Sequence, residues 1–413
     1  MNIYLIIILV ILIGDYILDL TVESLNVRNV NTSLPFEFKG WYDASRYKEA
    51  QEYLRDNTVF GIVTKTVITA ALLIFILGGG FNWVDRFARG FNFGPILTGL
   101  IFAGILIFSL QIINILFSLY DTFVIEAKYG FNRTTPKTFL LDILKKWMLI
   151  AVIGSVVFSG VLWFFQEAAA LAWVWCWVAV TLFQFFLMFI APAVILPLFN
   201  KFIPLEDCPL KGSIKDYARQ QNFKLKGIFK MDGSKRSTKS NAFFTGFGKY
   251  RRIVLFDTLI EKHTVQELTS VLAHEMGHFK KKHIFKHIAV SVATTGLMFF
   301  ILSLFINNQG LFSAFKMENL SIYASLFFFA FLYSPINMIF SIAANSLSRK
   351  YEYEADRYAV ETYRKPDAMI SALKKLSVDN LSNLAPHPLK VFLEYSHPPV
   401  LERIKAIKEL ISP

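Results

Sequence analysis

Charge is scarce in this sequence. Only 18% of its 413 residues are Asp, Glu, Lys or Arg, against about 25% in ordinary soluble domains, which excludes a purely soluble globular chain. Cysteine is nearly absent. Cys176 lies inside an apolar run and Cys208 in a loop, so there is neither a disulfide framework nor a thiolate metal site. Histidine is also sparse, with seven in all, so any regular spacing among them carries weight. The apolar stretch Ile3–Leu20 lacks a basic leader and an Ala-x-Ala-like cleavage site. It therefore reads as a retained membrane helix rather than a signal peptide. Zinc-finger spacing and a basic region joined to heptads are missing as well, so the net charge of +12 does not indicate nucleic acid. No internal repeat or low-complexity tract is evident.

What fills the chain is hydrocarbon: 54% hydrophobic residues and 42 phenylalanines. A bilayer core takes about 20 mostly apolar residues per helix. Seven runs qualify, at 3–20, 60–79, 95–118, 147–165, 172–199, 284–306 and 320–345. The fifth contains Pro192 and Pro197 and is expected to kink or end near them. With the N-terminus outside, the outer loops hold only Arg86, Arg89 and Lys316. The inner ones then hold Arg28, Lys39, Arg46, Lys48 and Arg55, followed by Lys128, Arg133, Lys137, Lys145 and Lys146. The excess of inner positive charge sets this orientation. It puts the polar segments 200–283 and 346–413 together on the cytoplasmic face, of a bacterial inner membrane or an ER-type membrane.

The chain thus divides into helices 1–5 with their loops (1–199), a catalytic segment (200–283), helices 6 and 7 (284–345) and a second catalytic segment (346–413). Gln111, Asn114, Gln184 and Asn337 fall within spans. Such groups either bond between helices or line a watery cavity, and the sequence leaves both open.

The chemistry begins at Thr264-Val265-Gln266-Glu267, a capping box that starts a helix. His274 and His278 follow four residues apart, so both imidazoles project from one face, as two nitrogen ligands of a tetrahedral zinc require. Glu275 stands beside them without being a ligand and is the natural general base for a water whose pKa the metal lowers. A catalytic zinc takes three protein ligands and keeps one open position. After the last span, Glu352 and Asp356 are again four apart. Glu352 can supply the third ligand and Asp356 can orient a ligand imidazole, while Glu354 points elsewhere and reads as solvated. One zinc ion per chain is expected.

His283 and His287 sit at the mouth of the sixth span, outside ligand spacing, and read as interfacial or packing residues. His397 precedes two prolines that fix its backbone, with Arg403 six residues on. A rigid imidazole there can hydrogen-bond a developing oxyanion, although spacing alone does not require it. The stretch 241–247 and then 252–256 reads as a β-hairpin. It is either an edge that holds an extended peptide or a small sheet that only packs on the zinc helix.

These residues in this order resemble the type I CAAX prenyl proteases, membrane zinc metallopeptidases of seven helices. The likeness runs through Lys128-Tyr129-Gly130-Phe131-Asn132-Arg133, Asn241-Ala242 and Ile253–Leu259. It continues through the zinc helix, Ser348-Arg349…Glu352…Asp356 and His397-Pro398-Pro399 with Glu402-Arg403. It implies an all-α membrane protein, a barrel of seven helices around a large chamber, with a zincin-like α+β catalytic domain on the cytoplasmic side. It further implies His274, His278 and Glu352 as ligands and Glu275 as base. His397 and Arg403 would stabilise the tetrahedral intermediate, and the Asn241–Ala242 edge would bind substrate backbone.

The expected partners are a peptide or protein substrate, possibly prenylated, and the lipid bilayer; nucleic acid is not expected, and the chain is expected to act as a monomer. The resemblance leaves the substrate open between prenylated CAAX chains and non-prenylated membrane proteins cleared by quality control. A transporter or receptor with structural zinc would need a fourth ligand, for which no candidate adjoins Glu352. The lack of a long insert between the sixth and seventh spans, and of a C-terminal retention signal, leans towards a bacterial member.

Overall fold

A computed structural model describes residues 2–30, 33–245 and 252–412. The Gly246–Phe247 end of the expected hairpin lies outside the described residues. Seven helices are long and apolar enough to cross a membrane, as expected. They are α1 (Ile3–Arg28), α2 (Ala44–Leu77), α4 (Pro95–Tyr120), α5 (Pro136–Glu167), α6 (Ala172–Ile190), α9 (His283–Ser303) and α11 (Ile322–Tyr363). The remaining helices used here are α3 (Gly80–Arg89), α7 (Pro209–Gln220), α8 (Val265–Lys280), α10 (Gln309–Ala314), α12 (Pro366–Asp379) and α13 (Val400–Ile411). After α6 the chain makes a wide π turn over Ala191–Ile195, where Pro192 withholds a backbone donor. α3 and α10 lie in the loops expected to be outer, where the sequence alone predicts no helix.

Neighbour contacts among the spans close a ring. α2 touches α1, α1 touches α11, and the series continues through α9, α6, α5 and α4. The π turn over Asp121–Ile125 at the end of α4 then packs back on α2. A solid seven-helix bundle would bury the inward face of each helix. Here no more than 11% of the most apolar window of any span is buried, so the ring is hollow.

Both ends of the ring are filled. At the end away from the catalytic segments, an aromatic plug joins Ile8, Ile76, Phe81, Phe102, Leu162 and Phe328 from five spans and α3. Phe315 of the α10 loop stacks on Phe328 at 3.9 Å, and Phe81 meets both edge-on, a preferred aromatic geometry. At the other end, two apolar cores hold the catalytic segments against the ring. One joins Tyr47, Phe131, Ile370 and Ile404; the other joins Ile214, Ile253, Leu268 and Leu272. Of the polar residues within spans, Gln184 donates to Ser291 Oγ between helices, whereas Asn337 lines an apolar cavity of about 870 Å³.

The catalytic end carries a four-stranded sheet in the order β1 (Phe202–Pro204), β2 (Gly227–Met231), β4 (Arg252–Phe256), β3 (Ala242–Thr245). β3 and β4 pair antiparallel with Ala242 opposite Leu255, as the hairpin reading expected. β2 runs parallel to β4 and was not anticipated. β3 is an edge strand among the described residues. Its entry is held by the 131–133 loop, with Thr238 N donating to Phe131 O and Arg133 N to Arg236 O, and by Asn380 at the end of α12, whose Oδ1 accepts from Ser240 N.

Candidate metal centre

The centre is assembled where α8 crosses α11. The capping box forms as read, Thr264 N donating to Glu267 Oε2 at 2.8 Å and Glu267 N to Thr264 Oγ1 at 3.3 Å. Glu267 is also buried against Lys375, whose Nζ lies 2.7 Å away, and accepts from Ser371. This network fixes the start of α8, and with it the direction of His274 and His278 two to three turns on. Gly277 lets the helices touch: a Cβ there would stand 2.9 Å from the Ala355 Cα and 3.1 Å from its carbonyl. The near backbone contact brings Glu352 of α11 to the two histidines.

His274 Nε2 and His278 Nε2 are 3.1 Å apart. His274 Nε2 is 3.4 Å from Glu352 Oε2, and His278 Nε2 is 3.1 Å from Glu352 Oε1. Ligands at zinc bond lengths of about 2.0–2.1 Å in a tetrahedron stand ~3.3 Å apart, so the two nitrogens and the two oxygens of the Glu352 carboxylate stand at separations that suit a zinc ion. The donor chemistry agrees. His274 Nδ1 is hydrogen-bonded to Asp356 Oδ1 at 2.7 Å and must be the donor, which leaves a lone pair on Nε2. Glu352 Oε2 is buried without a hydrogen-bond partner. Acceptors converging in a buried space call for a cation. Burial pulls the His274 pKa down, but Asp356 more than reverses it, to about 9, so a metal ion at Nε2 would take the place of a proton.

Arg403 comes from α13. It donates to Asp356 from Nε at 2.8 Å and Nη2 at 2.6 Å, and its Nη1 stands 3.3 Å from Glu352 Oε2. Burial works against the guanidinium charge, and the Asp356 carboxylate outweighs it, so the group is held charged above its ordinary range. His397 sits on the open side, its side chain 66% exposed, with Nε2 3.4 Å from Glu352 Oε1. Its Nδ1 is bonded to Ser396 Oγ at 3.0 Å. Glu275 is half-buried on the wall of the same cavity, a space of about 600 Å³ that also takes in Asn241, Ala242, His397 and Arg403. Every residue singled out in the sequence for this site therefore lies in or beside one cavity. Asp356 alone is set back from the wall, behind His274.

Three features were not legible. Gly277 was only a letter in the motif. His283, read as packing at the span mouth, lies against His278, with the two Nδ1 atoms 3.1 Å apart. Glu354, read as solvated, instead has Oε2 3.0 Å from His283 Nε2. The chain leaves α8 through Lys281 and a left-handed Lys282 (φ 58°) before α9 begins at His283. That turn has no marker in a run of lysines.

A ring of spanning helices capped by an HExxH helix, with the Glu352 carboxylate placed where a third ligand could stand, defines a membrane zinc metallopeptidase. Comparisons with known proteins agree over most of the chain. Residues 23–201 match the family model described as CAAX prenyl protease N-terminal, five membrane helices, and residues 204–411 match peptidase family M48. The Probable CAAX prenyl protease 1 of Schizosaccharomyces pombe is 34% identical over 88% of this chain and 80% of its own. The CAAX prenyl protease 1 homolog of Homo sapiens is 31% identical over 93% of this chain and 90% of its own. The crystal structure of S. mikatae Ste24p superposes with a TM-score of 0.93 at 30% identity, covering 98% of this chain and 99% of that one. The chain belongs to the M48 peptidases of the CAAX prenyl protease type.

Proposed function

We propose that this protein removes the C-terminal tripeptide from prenylated CAAX chains, the activity that the names of its relatives suggest. One observation carries the reading: a single cavity joins the three ligands, the edge strand β3 and barrel residues Met188, Pro192 and Ile284. An extended peptide fits along β3 while an apolar group attached to it reaches the hollow ring. Asn241 O accepts from Phe256 N across the sheet, so the backbone groups of Ala242 face the open edge. The Asn241 side chain accepts from Ala242 N at 2.8 Å, occupying the position of a substrate carbonyl. An incoming strand displaces that contact and gains main-chain bonds on β3.

His274, His278 and Glu352 would hold the zinc, which would supply Lewis acidity at the scissile carbonyl and lower the pKa of a water. Glu275 takes the proton from that water and returns it to the leaving amine. His397 and Arg403 line the wall where the carbonyl oxygen becomes negative, and the charged guanidinium stabilises it there. Asp356 orients His274 and pins Arg403. We place the N-terminus outside and the catalytic end in the cytoplasm, from loop charge, and take one chain as sufficient, since the cavity is built from a single protomer.

The test is cleavage by the purified protein of a farnesylated CAAX peptide, its unlipidated form and a destabilised membrane protein. Chelator-sensitive cleavage of the farnesylated peptide alone, three residues from its end, supports the proposal. Equal turnover of all three points to clearance of membrane proteins instead.

A further inference from the structure

His274 and His278 are oriented by different devices. A ligand imidazole binds metal in one tautomer only, with the remote nitrogen protonated and held by an acceptor. For His274 that acceptor is Asp356. His278 has no carboxylate at its Nδ1; it has the imidazole of His283, at 3.1 Å.

His283 is not incidental packing. It is 1% exposed and stacks on the Tyr351 ring at 4.1 Å and 7°, one residue before ligand Glu352. Its other nitrogen faces Glu354 Oε2 at 3.0 Å. A carboxylate only accepts, so His283 carries its proton on Nε2 and presents the Nδ1 lone pair to His278. His278 then donates from Nδ1 and keeps its Nε2 lone pair for the metal. In a continuous helix, a residue five positions after His278 would point roughly 140° away from it. The left-handed Lys282 breaks α8 and returns His283 to the ligand.

We infer that His283 and Glu354 form a positioning relay, Glu354 to His283 to His278, that sets the tautomer and ring plane of the second histidine ligand. The inference rests on His278 being a zinc ligand. It requires no change of charge on any member; the hydrogen-bond directions alone do the work.

The test uses the full chain in detergent, stripped of metal and titrated with zinc against a chelator, then with cobalt for its ligand-field spectrum. His283→Phe keeps the stack on Tyr351 and removes both hydrogen bonds. Zinc affinity is expected to fall roughly 10–100-fold, with an altered cobalt spectrum and lower kcat at little-changed KM. His283→Asn, whose amide oxygen stands near the lost Nδ1, recovers part of that affinity; His283→Gln, which reaches Glu354 but not His278, does not. Wild-type zinc affinity and cobalt spectrum in folded His283→Phe overturn the relay. Should that variant not fold, Glu354→Ala decides: a drop in affinity supports the relay and none overturns it. His278→Ala with undiminished zinc affinity removes instead the ligand assignment on which the relay stands.

Discussion

Glu275 and Asp356 show how position on a helix divides labour among carboxylates. Glu275 follows His274 by one residue and lines the same cavity, beside the candidate metal position. Asp356 follows Glu352 by one turn and sits behind His274, its oxygens taken by the imidazole and Arg403. Glu275→Gln should therefore keep zinc stoichiometry and lose roughly 10²–10⁴-fold in kcat, measured by metal analysis beside steady-state turnover. Undiminished turnover with zinc bound would remove Glu275 as the base. Both four-residue spacings were legible in the sequence, because each lies inside one unbroken helix and needs only the 3.6-residue period. His283 and Glu354 were not, because their meeting depends on a helix break at Lys282 that no glycine or proline announces.

At the scale of elements, the site is a crossing of two helices held at its start by a cap. Gly277→Ala pushes a methyl into the Ala355 backbone, which cannot turn aside as a side chain can. α8 and α11 must separate, and Glu352 leaves His274 and His278. The expected result is a stability loss of about 1–3 kcal/mol, with zinc affinity lowered more than that loss alone implies, read by thermal unfolding and chelator competition.

Glu267 tests the other end of α8. Burial raises its pKa, but Lys375, Ser371 and the Thr264 N–H bring it below its ordinary value of 4.5. A carboxylate depressed in the folded state stabilises above its unfolded pKa and loses that contribution as pH falls through the folded one. The stability advantage of wild type over Glu267→Gln should thus be full at pH 7 and vanish well below pH 4.5, as unfolding midpoints across that range would show. The capping box was legible; Lys375 and Ser371 were not, because they arrive from α12, more than a hundred residues on. β2 was missed for the same reason, since its parallel partner β4 follows only after an intervening strand.

Over the whole molecule, seven runs of apolar residues were plain, but that they close a hollow ring was not. Periodicity shows which residues avoid water; it does not show whether the inner face meets another helix or a void. Polar residues within spans left a cavity open as one choice, only the likeness to a family implied a chamber, and the contacts that close it join residues as distant as α1 and α11. Sidedness can be measured with the protein's own thiols. Cys208 is exposed at the catalytic end and Cys176 is buried within the ring. In sealed cells an impermeant maleimide should leave Cys208 unlabelled until the membrane is opened, and Cys176 should not react in the folded state. Labelling of Cys208 in intact cells would invert the proposed topology.

α11 is one uninterrupted helix of 42 residues, with Pro335 inside it, and at ~1.5 Å per residue it is about 63 Å long. That is roughly twice the ~30 Å hydrocarbon slab. It starts at the aromatic plug, runs the full depth of the ring and ends by delivering Glu352, while α9 starts at His283. A span meets a bilayer of the wrong thickness by tilting, and tilt at one end of a rod swings the other. Lipid acyl-chain length thereby becomes a variable of a hydrolytic centre. Across vesicles with one headgroup and graded chain length, turnover should pass through a maximum set by the distance between Glu352 and the two imidazoles.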